Sequence, residues 1–422
     1  MDFSGKRLLF LGGPNQVIKA VEQAKKMGVY TIVTDTKEKA KAKQFADEAL
    51  PFGVTDTDSI ISWCRQNPVD GVLNFGVDPA QKPCIVICEA LGLPHFGTLE
   101  QVEYLSNKQA FKALCLKCGV DVIRSYTEDD INAAFDDYPL LIKPAQNCGS
   151  RGGSVCYSPE AALAGIEKAK KLSANGKVII EKYMEGYQDF TVEYCFVGGT
   201  PYLVRAADRY TGDKAYNLDR QAVATAAPSK YLDMYLSNVH GRVISMLRSI
   251  GIRDGVLFLQ GFVDGDTVRF YDPAYRFPGT DYEKNLLSAT GVNLMERAVS
   301  FALGSDLPAE SALDDCYHLG GKCAISLFFT SRPGKIAYFD GLDEIRKIPG
   351  VVTAIQKEAV GSVIPDSGDV AQRVAEVGLV VADDKKTVED TVLKVQSLLK
   401  VRDENGDNML ISLLDPMIFR AK

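Results

Sequence analysis

Between residues 6 and 105, short apolar runs alternate with amphipathic stretches, and few folds accept that order. Arg7–Leu11 reads as a strand, Gln16–Met27 as a helix, and Tyr30–Thr34 as a second strand ending at Asp35. Ser59–Gln66 reads as a helix, Gly71–Phe75 as a strand, and Ala80–Leu91 as another helix. Strands joined through helices run parallel, and helices then cover both faces of the sheet. The reading is a doubly wound layer whose ligands sit beyond the carboxyl ends of the strands. Those ends are Gly12-Gly13-Pro14-Asn15, Asp35-Thr36 and Gly76-Val77-Asp78. The first turn lacks G-x-G-x-x-G spacing, so a dinucleotide site is rejected. For Asp35 and Asp78, turn or cap chemistry and a substrate contact remain two open readings.

From Ser106 the pattern changes. Ser106 or Asn107 caps a helix that runs through Lys108 and Lys112. A strand Leu140–Lys143, a helix from Pro159 to about Leu172, and a strand Val178–Glu181 follow. Thr191–Val197 and Pro201–Ala206 flank the turn Gly198-Gly199. Tyr231–Ile250 reads as one long helix, and Val256–Val263 with Val268–Tyr271 as a hairpin. Past Asp306, Gly320–Phe329 and Gly334–Asp340 read as strands, Leu342–Lys347 as a helix, and Lys386–Leu399 as a closing helix. The expected organisation is an α/β unit over 1–105, an α+β unit over 106–305 with a smaller lobe near 115–190, and a mixed α/β cap over 306–422.

Composition narrows the class. A net charge of −7 across 422 residues argues against a nucleic-acid surface, though a nucleotide needs only a local positive patch. No run approaches the roughly 18 apolar residues of a spanning helix, and Leu8–Leu11 is too short for a secretory core. A cytosolic protein without membrane partners is expected. The ten cysteines are scattered, and Cys115-x-x-Cys118 has no second pair to complete a zinc site. None of the histidines, His95, His240 and His318, sits in a triad pattern.

The stretch from Leu140 to Gly153 points to chemistry. An apolar strand delivers Lys143, then Pro144, then a loop with Gly149, Ser150, Arg151 and Gly152. An ammonium at the end of a buried strand is costly unless an anion meets it. Glycines let backbone N–H groups wrap phosphate oxygens, and Ser150 and Arg151 add donors. A flap over a nucleotide and a surface hairpin with a snorkelling lysine both fit this loop taken alone. Arg205, Arg209 and Lys214 lie in a charged segment that reads either as contacts for an anionic substrate or as a solvated loop.

Order decides. Lys108 stands 35 residues before Lys143, and Val178-Ile179-Ile180-Glu181-Lys182-Tyr183-Met184-Glu185-Gly186 follows 38 after its start at Lys143, counted to Glu181. Leu259-Gln260-Gly261-Phe262 then precedes Tyr271-Asp272-Pro273-Ala274-Tyr275-Arg276-Phe277-Pro278-Gly279. With Pro333-Gly334-Lys335-Ile336, Gly341-Leu342, Pro349-Gly350-Val351 and Arg373-Val374-Ala375, nearly the whole chain resembles the ATP-grasp superfamily. The resemblance is to its carboxylate–amine ligase branch, the type of biotin carboxylase, L-amino-acid ligase and glycinamide ribonucleotide synthetase. It implies a pre-ATP-grasp domain, an ATP-grasp domain with a flap lobe, and a C-terminal cap.

The resemblance also implies roles. Lys108 and Lys143 would clamp phosphates; Glu181 and the backbone of Lys182, Tyr183 and Met184 would meet the adenine; Glu185 or Asp189 would hold the ribose. Gln260 would lie at the nucleotide, Asp272 would hold Mg²⁺ (or Mn²⁺), and Arg276 would steady the transferring phosphoryl group. This chain departs from the family pattern in three places. Asp272 stands for a longer acid, Ala274 for an asparagine, and Gln260 for a metal glutamate. The implied activity joins a small-molecule carboxylate to an amine through an acyl phosphate, in an enzyme that can form a homodimer. The alternative is an ATP-binding protein with a degenerate metal site, acting as a non-catalytic sensor or assembly partner.

Overall fold

The computed structural model describes residues 2–132, 134–144, 153–173, 175–216, 218, 221–305 and 311–421. The first unit is the expected parallel layer. Its strands lie in the order Glu48–Leu50, Tyr30–Thr34, Arg7–Leu11, Gly71–Leu73, each pair parallel. Leu8 to Leu11 are fully buried, as a strand covered on both faces requires. Helices Asn15–Lys26 and Thr57–Gln66 connect strands of this sheet, and helix Gln81–Leu91 follows the last of them. A helix from the middle of the chain, Leu294–Ala302, also packs on this layer. The approach is so close that a Cβ on Gly71 would fall 2.2 Å from the Ala302 carbonyl oxygen.

The smaller lobe is a four-stranded antiparallel sheet in the order Ser125–Tyr126, Val178–Lys182, Leu140–Pro144, Ser154–Cys156. Helix Pro159–Leu172 covers it through Ala162, Ile166 and Ala169. Ser158 caps that helix and Pro159 opens it, a start that the sequence pattern marks well.

The large sheet runs Thr267–Ala274, Gly255–Asp264, Asp189–Val197, Thr200–Thr211, Ala222–Ala227, Lys322–Ser331, Arg373–Ala382, Val351–Gln356, with Leu410–Ile411 beside Lys322–Ser331. All its pairings are antiparallel. The division expected near residue 306 is therefore no break in the sheet. Ala222–Ala227 pairs directly with Lys322–Ser331, Ala227 opposite Ala324. Two other expectations change. The single helix over 231–250 is two, Leu232–Asn238 and His240–Ser249, because Val239 leaves helical geometry at φ −120°. The strand over 334–340 is two short pieces, Gly334–Lys335 and Tyr338–Asp340, each with its own partner strand.

A layer of buried charge lies where the first unit meets the large sheet. Lys19 is 2% exposed; its ammonium contacts the Glu283 carboxylate, the Thr280 carbonyl and, at 3.4 Å, Asp281. Glu193 is buried beside them, and neither of its carboxylate oxygens has a hydrogen-bond partner. Burial pushes its carboxyl up to about 8 and Glu283 adds to the shift, while Arg205 and Lys19 oppose it. The folded value lies above the ordinary 4.5, so the stability this group contributes is intact below that pH and is lost as pH rises through about 8. Wild-type stability in urea should therefore fall between about pH 5 and about pH 9 by on the order of a few kcal/mol more than that of Glu193→Gln. Parallel pH profiles for the two proteins would show that Glu193 is charged throughout.

Candidate active site

Helix Lys108–Lys117 organises the site. Asn107 caps it, its side chain accepting from the Gln109 and Ala110 amides. Lys108 and Lys112 are four residues apart and so share a face, about 6 Å along the axis. Lys108 Nζ lies 2.9 Å from Asp272 Oδ1 on the large sheet. Lys112 reaches the other way, into the small lobe, where it pairs with Glu181 and donates to Ser125 Oγ at 2.7 Å. One helix face thus sets an ammonium group against each wall.

Lys143 does meet an anion. Its Nζ lies 2.7 Å from Glu181 Oε2, across the register that sets Leu141 opposite Glu181. Glu181 is 7% exposed and sits between Lys143 and Lys112. Burial alone would raise its carboxyl, but Lys143 and then Lys112 outweigh that and bring it down to about 2. A folded value below the ordinary 4.5 means this stabilisation is present above that pH and is lost as pH falls towards about 2. Hydrogen exchange in Leu140–Pro144 should therefore accelerate over that window in wild type, and at all pH values in Glu181→Gln. Equal protection in both proteins would contradict the triad. Lys112 was not among the residues singled out for a role, although its four-residue spacing from Lys108 was the available signal.

The segment after Glu181 turns inward. The Lys182 amide donates to Arg124 O and the Tyr183 amide to Pro139 O, both at 2.9 Å, so these two N–H groups are committed within the lobe. The Lys182 side chain also stays there, 2.7 Å from Asp137 Oδ1. Met184 is buried. Glu185 is exposed, accepting from Tyr157 Oη at 2.7 Å and paired with Lys214 at 3.1 Å. Asp189 is buried at the start of its strand and paired with Arg209, which also donates to Tyr271 Oη at 2.9 Å. Gly149, Ser150, Arg151 and Gly152 lie outside the described residues.

The segment with Arg205 and Arg209 is not a solvated loop. Both residues lie within strand Thr200–Thr211, and Arg205 is 4% exposed, donating to Thr225 Oγ1 at 2.7 Å with its guanidinium over the Tyr282 ring. Lys214 alone of the three lies past the strand.

On the large sheet, Gln260 and Asp272 face each other across the hairpin, and Ala274 faces Phe258. Register partners point to the same side, so one carboxylate and one amide converge there. Arg276 follows. Its guanidinium forms a two-pronged pair with Asp78, Nη2 to Oδ2 at 2.8 Å, donates to the Phe277 carbonyl, and lies over Phe258. Asp35 and Asp78 differ in their partners. Asp35 does turn work, accepting from the Gly13 and Lys37 amides, and Asp78 reaches Arg276.

The chain is similar to known proteins over most of its length. The family model for the carbamoyl-phosphate synthase L chain, ATP binding domain, matches residues 107–310, and that for L-amino acid ligase C-terminal domain 2 matches residues 327–404. The solved L-amino acid ligase of Bacillus licheniformis superposes with a TM-score of 0.75 over 95% of this chain and 100% of its own, at 17% identity. The fold is ATP-grasp. Phosphoribosylglycinamide synthetase of Anaerococcus prevotii superposes at 0.74 over 94% of this chain and all of its own, at 15% identity. The biotin carboxylase domain of Hydrogenobacter thermophilus 2-oxoglutarate carboxylase, solved with MgADP and bicarbonate, superposes at 0.73 over 99% and 95%, at 16% identity. Among curated sequences, the carbamoyl phosphate synthase large chain of Thermomicrobium roseum is 24% identical over 316 residues. That match takes in 68% of this chain and 28% of the relative, so the chain spans little more than a quarter of the relative's length. No helix among the described residues is long and apolar enough to cross a membrane.

Proposed function

We propose that this ATP-grasp chain is an ATP-dependent ligase that joins a small-molecule carboxylate to an amine. The observation that carries the reading is that helix Lys108–Lys117 sets Lys108 against Asp272 on the large sheet and Lys112 against Glu181, which Lys143 also meets, in the small lobe, with Arg276, four residues past Asp272, fixed by Asp78. A triphosphate between the lobes would exchange these internal ion pairs for contacts to its own oxygens. The pair Lys108–Asp272 is half-exposed and so open to that exchange.

The donor set fits a hard cation. Asp272 offers carboxylate oxygens and Gln260 an amide oxygen on the same side of the hairpin, and phosphate oxygens suit Mg²⁺ or Mn²⁺ as remaining ligands. Ala274 contributes no donor. Such an ion neutralises phosphate charge as the γ-phosphoryl group moves. The chain's own residues position and compensate charge. Lys143 and Lys108 hold the phosphates, and Arg276 faces the negative charge of the transferring group. A substrate carboxylate oxygen attacks the γ-phosphorus and the bond to the bridging oxygen breaks, leaving ADP and an acyl phosphate. The amine then attacks the acyl carbon, phosphate departs, and the amine loses its proton. Glu185 or Asp189 would hold the ribose, with Glu181 and the Met184 backbone nearer the adenine.

Asp272→Asn tests the reading. It should raise the Mn²⁺ concentration needed to saturate the ATP complex by at least about tenfold, read by electron paramagnetic resonance, and lower ATP turnover alongside. ATP-dependent phosphate release triggered by a carboxylate pool supports the ligase. Tight ATP binding with no turnover under any pool, and metal affinity indifferent to Asp272, favours the second reading. That reading, a nucleotide-binding protein without catalysis, rests on Gln260 and Ala274 occupying the positions facing Asp272 and Phe258. A homodimer is the assembly proposed for either.

A further inference from the structure

The far end of the large sheet holds a cavity of about 310 Å³ that the nucleotide reading leaves unused. It opens at the carboxyl end of strand Asp189–Val197, whereas Asp189 marks the opposite end. Eight residue steps of extended chain separate them by about 26 Å. Val197, Val256, Phe277, Leu294 and Phe301 supply an apolar wall, and Arg253, Asp254 and Arg297 the charge.

The wall is preformed. Phe96 and Phe301 stack at 4.4 Å, and Phe277 stacks on Phe75 at 4.2 Å. Gly255 admits this packing, since a Cβ there would lie 2.9 Å from Phe96 Cγ and 3.0 Å from Tyr275 Cε2. Burial holds the Cys195 thiol up at about 12, so it lines the cavity as a neutral group. Asp254 is the one acid in the described lining, and its side chain accepts from the Gly198 amide at 2.8 Å. Arg253 and Arg297 are the cations of the described lining. Arg253 is exposed and has no ion-pair partner among the described residues.

We propose that this cavity is a second small-molecule site, taking a compact carboxylate with an aromatic or branched aliphatic body. The body lies against Phe277, Leu294 and Phe301, and the carboxylate meets Arg253. The volume matches such a ligand, and a pocket of apolar wall with few charged groups is the usual build of a small-molecule site. Phe277 directly follows Arg276, so the occupant touches the segment that carries the candidate phosphoryl-transfer arginine.

The test titrates the full chain, without nucleotide, with 3-phenylpropanoate and with uncharged 3-phenylpropanol, by isothermal calorimetry. Saturable one-to-one binding of the acid is expected, weakened about tenfold or more in the alcohol and in Arg253→Glu. Arg253 is exposed, so that variant keeps the fold; Ala298→Leu, which fills the cavity from the helix side, should also abolish binding. Absence of saturable binding overturns the proposal. So does acid binding that ATP displaces and Arg253→Glu leaves unchanged, which places the acid in the nucleotide cleft. Since no ATP is present in the main titration, the outcome is independent of the ligase reading.

Discussion

Replacing Arg276 by alanine should lower turnover by about 10²–10³-fold while changing ATP affinity by only a few-fold, because in the proposed reaction the guanidinium acts on charge that develops during phosphoryl transfer. The structure gives Arg276 the required rigidity. Its side chain is 12% exposed, held by Asp78 on two nitrogens and by the Phe258 ring. A planar fork makes both prongs of that contact and a lysine cannot, so Arg276→Lys should recover little. In that proposal Asp78 is a positioning residue. Asp78→Asn should reduce kcat more than it raises KM for ATP, since the arginine remains but loses its fixed direction. Steady-state kinetics with calorimetric ATP binding separates these outcomes. Unchanged kcat in Arg276→Ala would remove the residue from the reaction.

Lys19→Met should cost about 3–5 kcal/mol of folding stability. The loss comes from what stays behind more than from the contact removed. Glu283 and Asp281 are 0% and 8% exposed at the side chain, and without the lysine they hold charge in a dry interior beside Glu193. Lys19→Met combined with Glu283→Leu should recover much of the loss, since an apolar pair of similar volume carries no stranded charge. Urea unfolding of the two variants reads this directly. A single variant within 1 kcal/mol of wild type, on the scale of about ±0.5 for surface changes, would mean the acids are neutral in the folded protein. The pair joins helix Asn15–Lys26 to helix Tyr282–Thr290, so the first unit is fastened to the lobe that carries Arg276.

The elements whose evidence is local were legible before any coordinates. The parallel layer follows from strand–helix alternation, and Arg7–Leu11 and Tyr30–Thr34 fall where the apolar runs place them. The hairpin around Asp264-Gly265-Asp266 and the cap at Asn107 carry short-range signals of the same kind. What the sequence hid is long-range. Asp78 and Arg276 are 198 residues apart, and Lys112 and Glu181 are 69 apart, so no periodicity joins either pair. The charge at Arg205 and Arg209 left substrate contacts and a solvated loop both open, whereas the two lie in one long strand where Thr225, Tyr282 and Asp189 compensate them. The pairing of Ala222–Ala227 with Lys322–Ser331 crosses about a hundred residues, beyond what apolar patterning specifies. Val239 ends a helix without proline or glycine, so the amphipathic pattern runs straight through the break.

The central claim is that a carboxylate attacks ATP in this cleft, and oxygen transfer tests it most directly. The protein would be incubated with ATP, Mg²⁺ and pools of amino acids and small carboxylic acids whose carboxylates carry heavy oxygen, and the released phosphate analysed by mass. An acyl-phosphate route moves one heavy oxygen from the acid into phosphate with each ADP formed, and Lys143→Ala should abolish the transfer. Phosphate released at the same rate but without label would mean that water, not a carboxylate, takes the phosphoryl group, and would contradict the account.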